Sequence, residues 1–178
     1  MSRQVHIQIL DAAEAQASVA ALADVLTDCV AGGASVSFMW PLPRERALQF
    51  WQGVADGVAR RERILLVARD DDGEIIGTVQ LITAMPDNQP HRADVAKMLV
   101  HRKGRRRGIA QALMAGVEKT ALAEGKTVLV LDTVTGGDAE RLYERAGWQK
   151  VGVVPNYALM PDGELCGTTF FHKQIERD

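Results

Sequence analysis

The densest positive charge in the chain is the run His101-Arg102-Lys103-Gly104-Arg105-Arg106-Arg107, followed by Gly108 and an amphipathic stretch. That spacing suits anion chemistry. If a helix opens at Ile109, its first backbone N–H groups lack intrahelical partners and sit at the positive end of the dipole. Gly108 removes a side chain where a phosphate must approach the main chain. Arg105, Arg106 and Arg107 add guanidinium groups that match phosphate oxygens. The 178 residues carry a formal net charge of −2, so the positive charge is focused in one loop of a slightly acidic chain. Duplex binders spread charge over a face and are basic overall. A small polyanion fits better, and no nucleic-acid partner is expected.

Other candidates for chemistry are fewer. Asp132 stands in the apolar run Val128-Leu129-Val130-Leu131-Asp132-Thr133, where desolvation is expected to raise its pKa towards that of a useful base. It could equally anchor a substrate ammonium, or be a structural carboxylate satisfied by Thr133, Thr135 or backbone donors. Asp94, expected just before a strand, is a second base candidate. His91 and His101 titrate near neutrality, but His101 lies in the basic loop, where phosphate or solvent is its expected neighbour. Phe38 and Trp40 are candidates to line an acceptor pocket. The two cysteines, Cys29 and Cys166, are far apart and have no metal-ligand spacing, so both are read as small buried hydrophobes. Asp70-Asp71-Asp72-Gly73 lacks the remaining ligands of a calcium loop and reads as a turn. No metal site is expected.

These groups need a scaffold. Residues 5–9 alternate as a half-buried strand does. Asp11 with Glu14 forms a capping-box pattern, and Val19, Leu22, Leu26 and Val30 continue it as one helix to Gly32-Gly33. Residues 35–40 form a loop closed by Pro41 and Pro43, before a second helix carrying Leu48, Trp51, Ala55 and Val58. Residues 64–68 and 75–82 read as a hairpin around the acidic turn. A loop over 85–92 and a strand over 95–100 lead to the basic segment. Beyond it, Ala110, Leu113, Met114, Val117 and Ala121 recur at helical spacing, with Gly125 as the stop. Residues 127–134 form a β-branched, buried strand. A short helix carries Ala139, Leu142, Tyr143 and Ala146. Strands over 148–154 and 168–172 close the chain around a Pro161-Asp162-Gly163 turn. The expected order is βααβββαβαββ, a mixed α/β sandwich forming a single domain over 1–178. No apolar run approaches the ~20 residues that span a bilayer. Met1-Ser2-Arg3-Gln4 leads into alternation rather than a signal segment, so the cytoplasm is the expected location and no membrane contact is foreseen.

The chain has no G-x-x-x-x-G-K-[ST] and no G-x-G-x-x-G after a first strand, which disfavours nucleotide triphosphatases and dinucleotide enzymes. Arg105-x-x-Gly108-x-Ala110, placed after a strand and opening a helix, resembles the acyl-CoA pyrophosphate motif of the GNAT N-acetyltransferases, [QR]-x-x-G-x-[GA]. Ala139-Glu140-Arg141-Leu142-Tyr143-Glu144-Arg145-Ala146-Gly147-Trp148 resembles that superfamily's second signature, A-x-x-L-Y-x-x-x-G-[FW]. The element order matches as well, and the resemblance covers essentially the whole chain.

The resemblance implies the GNAT acyl-CoA N-acyltransferase fold, acetyl-CoA as cofactor, and direct attack of an amine on the thioester. The main chain around Arg105, Arg106, Arg107, Gly108, Ile109, Ala110 and Gln111 would grip the diphosphate, and a backbone N–H on Met98, Leu99 or Val100 would polarise the thioester carbonyl. It makes Tyr143 the candidate general acid. A free phenol near pKa ~10 lies above a thiol, and its proton is expected to pass to the departing thiolate at little cost. One departure is Gly136, where many members carry Asn seven residues before the Tyr, so a contact to the pantetheine arm is expected to be missing or replaced.

A closer resemblance, to the tabtoxin-resistance acetyltransferase subgroup, is carried by Gly32-Gly33-Ala34-Ser35-Val36-Ser37-Phe38-Met39, Arg92-Ala93-Asp94-Val95, Leu131-Asp132-Thr133 and Pro161-Asp162-Gly163. It implies a small amino-acid-like or toxin amine as acceptor and favours Asp132 as the functional carboxylate. A protein or peptide amine, or a catalytically silent CoA-binding module, are the alternatives. A homodimer is left open.

Overall fold

Along residues 63–69 the apolar side chains alternate between two buried faces: Leu66 and Ala68 join one core, Leu65 and Val67 another. A strand buried on both sides needs helices above and below it, and the rest of the chain supplies them. The computed structural model describes residues 4–176, so the lead-in 1–3 lies outside the described residues. The elements are β1 (His6–Leu10), α1 (Ala12–Ala17), α2 (Val19–Ala31), α3 (Arg44–Ala59), β2 (Arg63–Arg69), β3 (Ile75–Ile82), β4 (Arg92–Val100), α4 (Ile109–Ala123), β5 (Val128–Val134), α5 (Asp138–Arg145), β6 (Gln149–Leu159) and β7 (Leu165–Gln174). They form one seven-stranded sheet in the order β1-β2-β3-β4-β5-β7-β6. Only β4 and β5 pair in parallel. The mixed α/β fold is as expected, with one helix more than the sequence order.

The extra helix comes from a break at Ser18. The capping box forms as read, Asp11 accepting from the Glu14 N–H and Glu14 from that of Asp11. The apolar spacing then runs on without interruption, but the Ser18 hydroxyl donates to the Glu14 carbonyl at 2.7 Å. Back-bonding of this kind bends a helix, and here α1 ends and α2 begins anew.

Helices α4 and α5 cover one face of the sheet, with Leu113, Met114, Val117 and Tyr143 packed on Leu81, Ala93, Leu129, Leu131 and Phe171. Helices α1 to α3 cover the other face, with Leu22, Leu26, Trp51 and Val54 on Leu65, Val67 and Leu99. Coverage on this second side ends at β4. Hairpin β6–β7 instead leans back through its turn, where the Trp40 N–H donates to the Pro161 carbonyl at 3.1 Å and Ser35 to the Leu159 carbonyl at 3.0 Å.

Two irregularities at the middle of the sheet position the site. First, β4 and β5 pair only from Arg92–Val128 to Asp94–Val130 and then diverge. Second, β4 carries one residue more than β3 between the pairs Gln80–Ala96 and Thr78–Leu99. Lys97 lies in that bulge with φ 52°, in the left-handed region that non-glycine residues rarely adopt. The strand therefore bends away from β5 and opens a gap through the sheet between residues 95–100 and 131–134.

Strand boundaries differ from expectation in two places. Strand β4 begins at Arg92, so Asp94 is inside it rather than before it. Strand β6 continues past Pro155 to Leu159. Pro155 is accommodated because β6 is the sheet's last strand and slips register between Val154 and Ala158, and proline is tolerated at edges and bulges.

Candidate active site

The basic loop folds as anticipated onto the start of α4. Residues Arg102–Gly104 make a single 3-10 turn. Gly104 must be glycine, because a Cβ there would lie 2.7 Å from Ile109 Cδ1. Gly108 forms the N-cap of α4 at φ 71° and offers no side chain to cap it. A Cβ on Gly108 would meet nothing within 4 Å. The first amides of α4, those of Ile109, Ala110 and Gln111, thus open onto unobstructed space at the positive end of the helix.

The side chains around that opening divide the work differently from expectation. Arg102 turns away to Asp28 on α2, its guanidinium and its main-chain N–H both bonding that carboxylate, the latter at 2.9 Å. Burial raises the Asp28 pKa, but the Arg102 bonds and the nearby His101 and Arg102 charges outweigh it and hold it below the usual range. Arg105 reaches back towards the C-terminal end of α2, its Nη2 lying 3.2 Å from where a Gly32 Cβ would be. Arg106, at φ 61°, is exposed. The Nη2 of Arg107 is buried and, among the described residues, has no hydrogen-bond partner. Such an orphan is costly unless something anionic joins it. His101 does not face a phosphate seat: its Nδ1 accepts from the Lys103 N–H at 3.1 Å and its Nε2 lies 3.7 Å from Asp28.

Strand register sorts the remaining candidates onto two sides of the gap. Ala93, Val95, Leu129 and Leu131 face α4 and α5, so Asp94, Val130 and Asp132 face the other way. Tyr143 is on the α4 side, 5 % exposed and ringed by Trp148 and Phe171 at centroid distances of 6.0 and 5.9 Å. Burial, helped by the Asp132 charge, pushes its pKa up to about 12. Asp132 is therefore close enough to act on Tyr143 through the gap. It acts also on Lys97, whose pKa burial lowers and Asp132 raises in opposition.

The expected desolvation of Asp132 is not found. Its residue is exposed, because no helix covers β5 on that face, and its Oδ2 accepts from the Thr168 hydroxyl at 2.9 Å. Asp94 is bound to Arg92 in an ion pair and exerts no such reach. The structure thus groups Asp132, Tyr143 and the Lys97 bulge, with Met98, Leu99 and Val100 following directly on β4, and leaves Asp94 lower on the strand.

Two concavities flank the gap on the Asp132 side. One of about 520 Å³ is lined by Ser37, Phe38, Arg46, Gln49, Phe50 and Lys97. The other, of about 310 Å³, lies between the end of α2 and the β6–β7 turn and holds Met39, Trp40, Met160 and Asp162. Phe38 and Trp40 therefore line different cavities rather than one. The sequence reading passed over Arg46, Gln49 and Lys97. Lys97 had a signal, a lone charge inside the apolar strand Val95-Ala96-Lys97-Met98-Leu99; Arg46 had none, since only the fold brings α3 to β4.

Other groups are occupied structurally. Burial, with the Asp28 charge, pushes the Cys29 thiol up to about 11, and its Sγ donates to the Val100 carbonyl at 3.4 Å. It is no thiolate. The acidic turn folds on itself, Asp70 accepting from the N–H groups of Asp72 and Glu74. Gly136 sits at φ 80° with room around it, and its N–H donates to the buried Glu140 carboxylate.

The profile of the acetyltransferase (GNAT) family matches residues 21–148. An N-acetyltransferase from Staphylococcus aureus Mu50 superposes with a TM-score of 0.78 at 15% identity, covering 97% of this chain and 99% of that one. A GCN5-related N-acetyltransferase from Kribbella flavida is 23% identical, with a TM-score of 0.76 over 95% and 98% of the two chains. A Salmonella typhimurium protein, described as an acetyltransferase and solved with its cofactor acetyl-CoA, has a TM-score of 0.74 at 17% identity over 98% and 96%. These likenesses are of fold.

Proposed function

The chain belongs to the acetyltransferase (GNAT) family, and from that premise we propose that it transfers acetyl from acetyl-CoA to a primary amine of a small molecule, with both bound at once. The observation that carries this reading is the gap between β4 and β5, with an uncapped helix start on one side and an exposed carboxylate on the other. The residues present fit coenzyme A. The open amides of Ile109, Ala110 and Gln111 and the orphaned Arg107 Nη2 would hold its diphosphate. Arg105 and Arg106 add long-range charge. Acetyl-CoA, when bound, supplies an activated acyl group as a thioester.

The chain's own residues then have three tasks. Main-chain N–H groups of the β4 stretch Met98, Leu99 and Val100, freed from β5 by the divergence, stabilise negative charge on the carbonyl oxygen. Asp132 takes a proton from the acceptor ammonium, whose nitrogen forms the new N–C bond as the C–S bond breaks. Tyr143 gives its hydroxyl proton to the departing sulfur and regains one from the acylated nitrogen. The net proton released leaves through Asp132 to solvent.

The Tyr143 step is harder than its free pKa suggested. From about 12, full transfer to a thiolate of ordinary pKa ~8.5 is uphill by roughly 5 kcal/mol. Asp132 eases it. Once that carboxylate has accepted the ammonium proton its charge is gone, and one cause of the raised Tyr143 pKa goes with it. Base and acid are therefore coupled, in the order the reaction needs them. Asp94, neutralised by Arg92, is the weaker candidate.

The subgroup resemblance of the loop 32–39, which delivers Ser37 and Phe38 to the larger cleft, supports an amino-acid-like or toxin amine and a role in resistance to it. Exposed Val151, Val153, Tyr157, Leu159 and Leu165 on the outer hairpin support a homodimer through that face, which sedimentation equilibrium tests. The activity itself is tested by incubating the chain with acetyl-CoA and an amine panel while free thiol is followed. Thiol release that depends on the amine is expected; CoA that fails to bind, or release indifferent to every amine, would end the reading.

A further inference from the structure

The larger cleft has an unbalanced charge. Of the six residues lining its roughly 520 Å³, Arg46 and Lys97 are cations and none is an acid. Among the described residues neither forms an ion pair. Arg46 rests over the Phe38 ring, 6.0 Å from its centroid, while its neighbour Arg44 is already taken by Asp24. The Lys97 Nζ donates only to the Ser37 hydroxyl, at 2.8 Å. Half-buried cations without a counter-charge are unfavourable unless a ligand provides one.

Placement adds direction. Lys97 is the bulge residue of β4, next to Met98, and within reach of the Asp132 charge. Arg46 and Gln49 come from the first turns of α3, across the cleft from β4. Phe38 and Phe50, edge to face at 5.2 Å, give the cleft an apolar wall between its cations. A ligand seated here would carry an anionic group at Arg46 and Lys97, a short apolar body against the rings, and its far end towards Asp132.

We propose that this cleft binds a carboxylate of the acceptor through Arg46 and Lys97, so that the acceptor is an amine that also bears a carboxylate, such as an amino acid or its analogue. Arg46 offers the paired donors that a carboxylate's two oxygens accept; Lys97 offers a point charge beside the gap. The inference rests on the acetyl-transfer reading for what happens at the amine, but the preference for an anion is measurable without turnover.

The test is equilibrium binding by calorimetry, with CoA present, of the proteinogenic L-amino acids, β-alanine and γ-aminobutyrate, each binder being compared with its primary carboxamide. The acid is expected to bind at least about tenfold more tightly than the amide, and Arg46→Gln to bring the two within about twofold. Arg46→Lys should restore part of the difference. Arg46 is exposed, so its variants should melt with the wild type; Lys97→Gln, in a strained bulge, is a supporting variant only where its melting is also unchanged. Failure of every acid to bind, equal binding of acid and amide, or equal weakening of both by Arg46→Gln overturns the proposal. Acid-selective binding without acetylated product would uphold the cleft's role and count against acetyl transfer, which keeps the two failures apart.

Discussion

Tyr143 and Asp132 sit on opposite faces of the sheet, yet each feels the other through the gap. Tyr143→Phe keeps the ring that packs on Trp148 and Phe171 and removes only the hydroxyl. It is expected to lower kcat by about 10²-fold while leaving CoA affinity unchanged; undiminished turnover would leave Tyr143 a core residue. Asp132→Asn should cost a similar factor and abolish the acid limb of the pH–kcat/KM profile, whereas Asp94→Asn, which breaks only the Arg92 pair, should cost less than about tenfold. The reverse ranking would move the base to Asp94. Asp132→Asn has a second readout. It removes a charge that raises Tyr143, so ultraviolet titration should find one phenol ionising at lower pH than in the wild type.

Elements decide where these residues stand. Gly108 turns the basic loop into α4 at φ 71°, a conformation that costs a residue with a Cβ roughly 1–2 kcal/mol. Since the space beyond it is open, Gly108→Ala should lower the melting temperature by several degrees and weaken CoA binding, and Gly108→Asn should do less because Asn tolerates that region. Unaltered CoA affinity in both would detach the loop from the diphosphate. The turn between β5 and α5 hangs on Glu140, whose carboxylate accepts from the Gly136 N–H, Lys150 and Thr169. The Gly136 bond, ahead of Lys150, holds its pKa below the usual range. A depressed folded pKa stabilises above the unfolded value of ~4.3 and is lost as pH falls through the folded one. Glu140→Gln should therefore flatten the acid side of the stability curve, an outcome that urea titrations at graded pH would reveal. How far the elements could be read from residue order follows the same logic. The α4 start was legible because Gly108 and its arginines are local signals. The break at Ser18 was not, since apolar spacing continues through it, and β6 was cut short because Pro155 reads as a stop unless the strand is known to be an edge. The Lys97 bulge depends on pairing with β3, and the exposure of Asp132 on a helix that is not there; neither is encoded in neighbouring residues.

The two apolar cores lie on opposite faces of one sheet and share strands β2 to β4. Trp51 reports one core and Trp148 the other. A single domain should therefore lose far-ultraviolet circular dichroism and tryptophan fluorescence in one coincident transition; two separated midpoints would divide the chain. The opening between β4 and β5 has a kinetic corollary. Nucleotide and amine would use separate doorways, one on each side of the same wall, so neither need block the other's arrival or departure. Initial-rate lines for the two reactants should then intersect rather than run parallel, and an acetylated product could depart while the spent carrier is still in place.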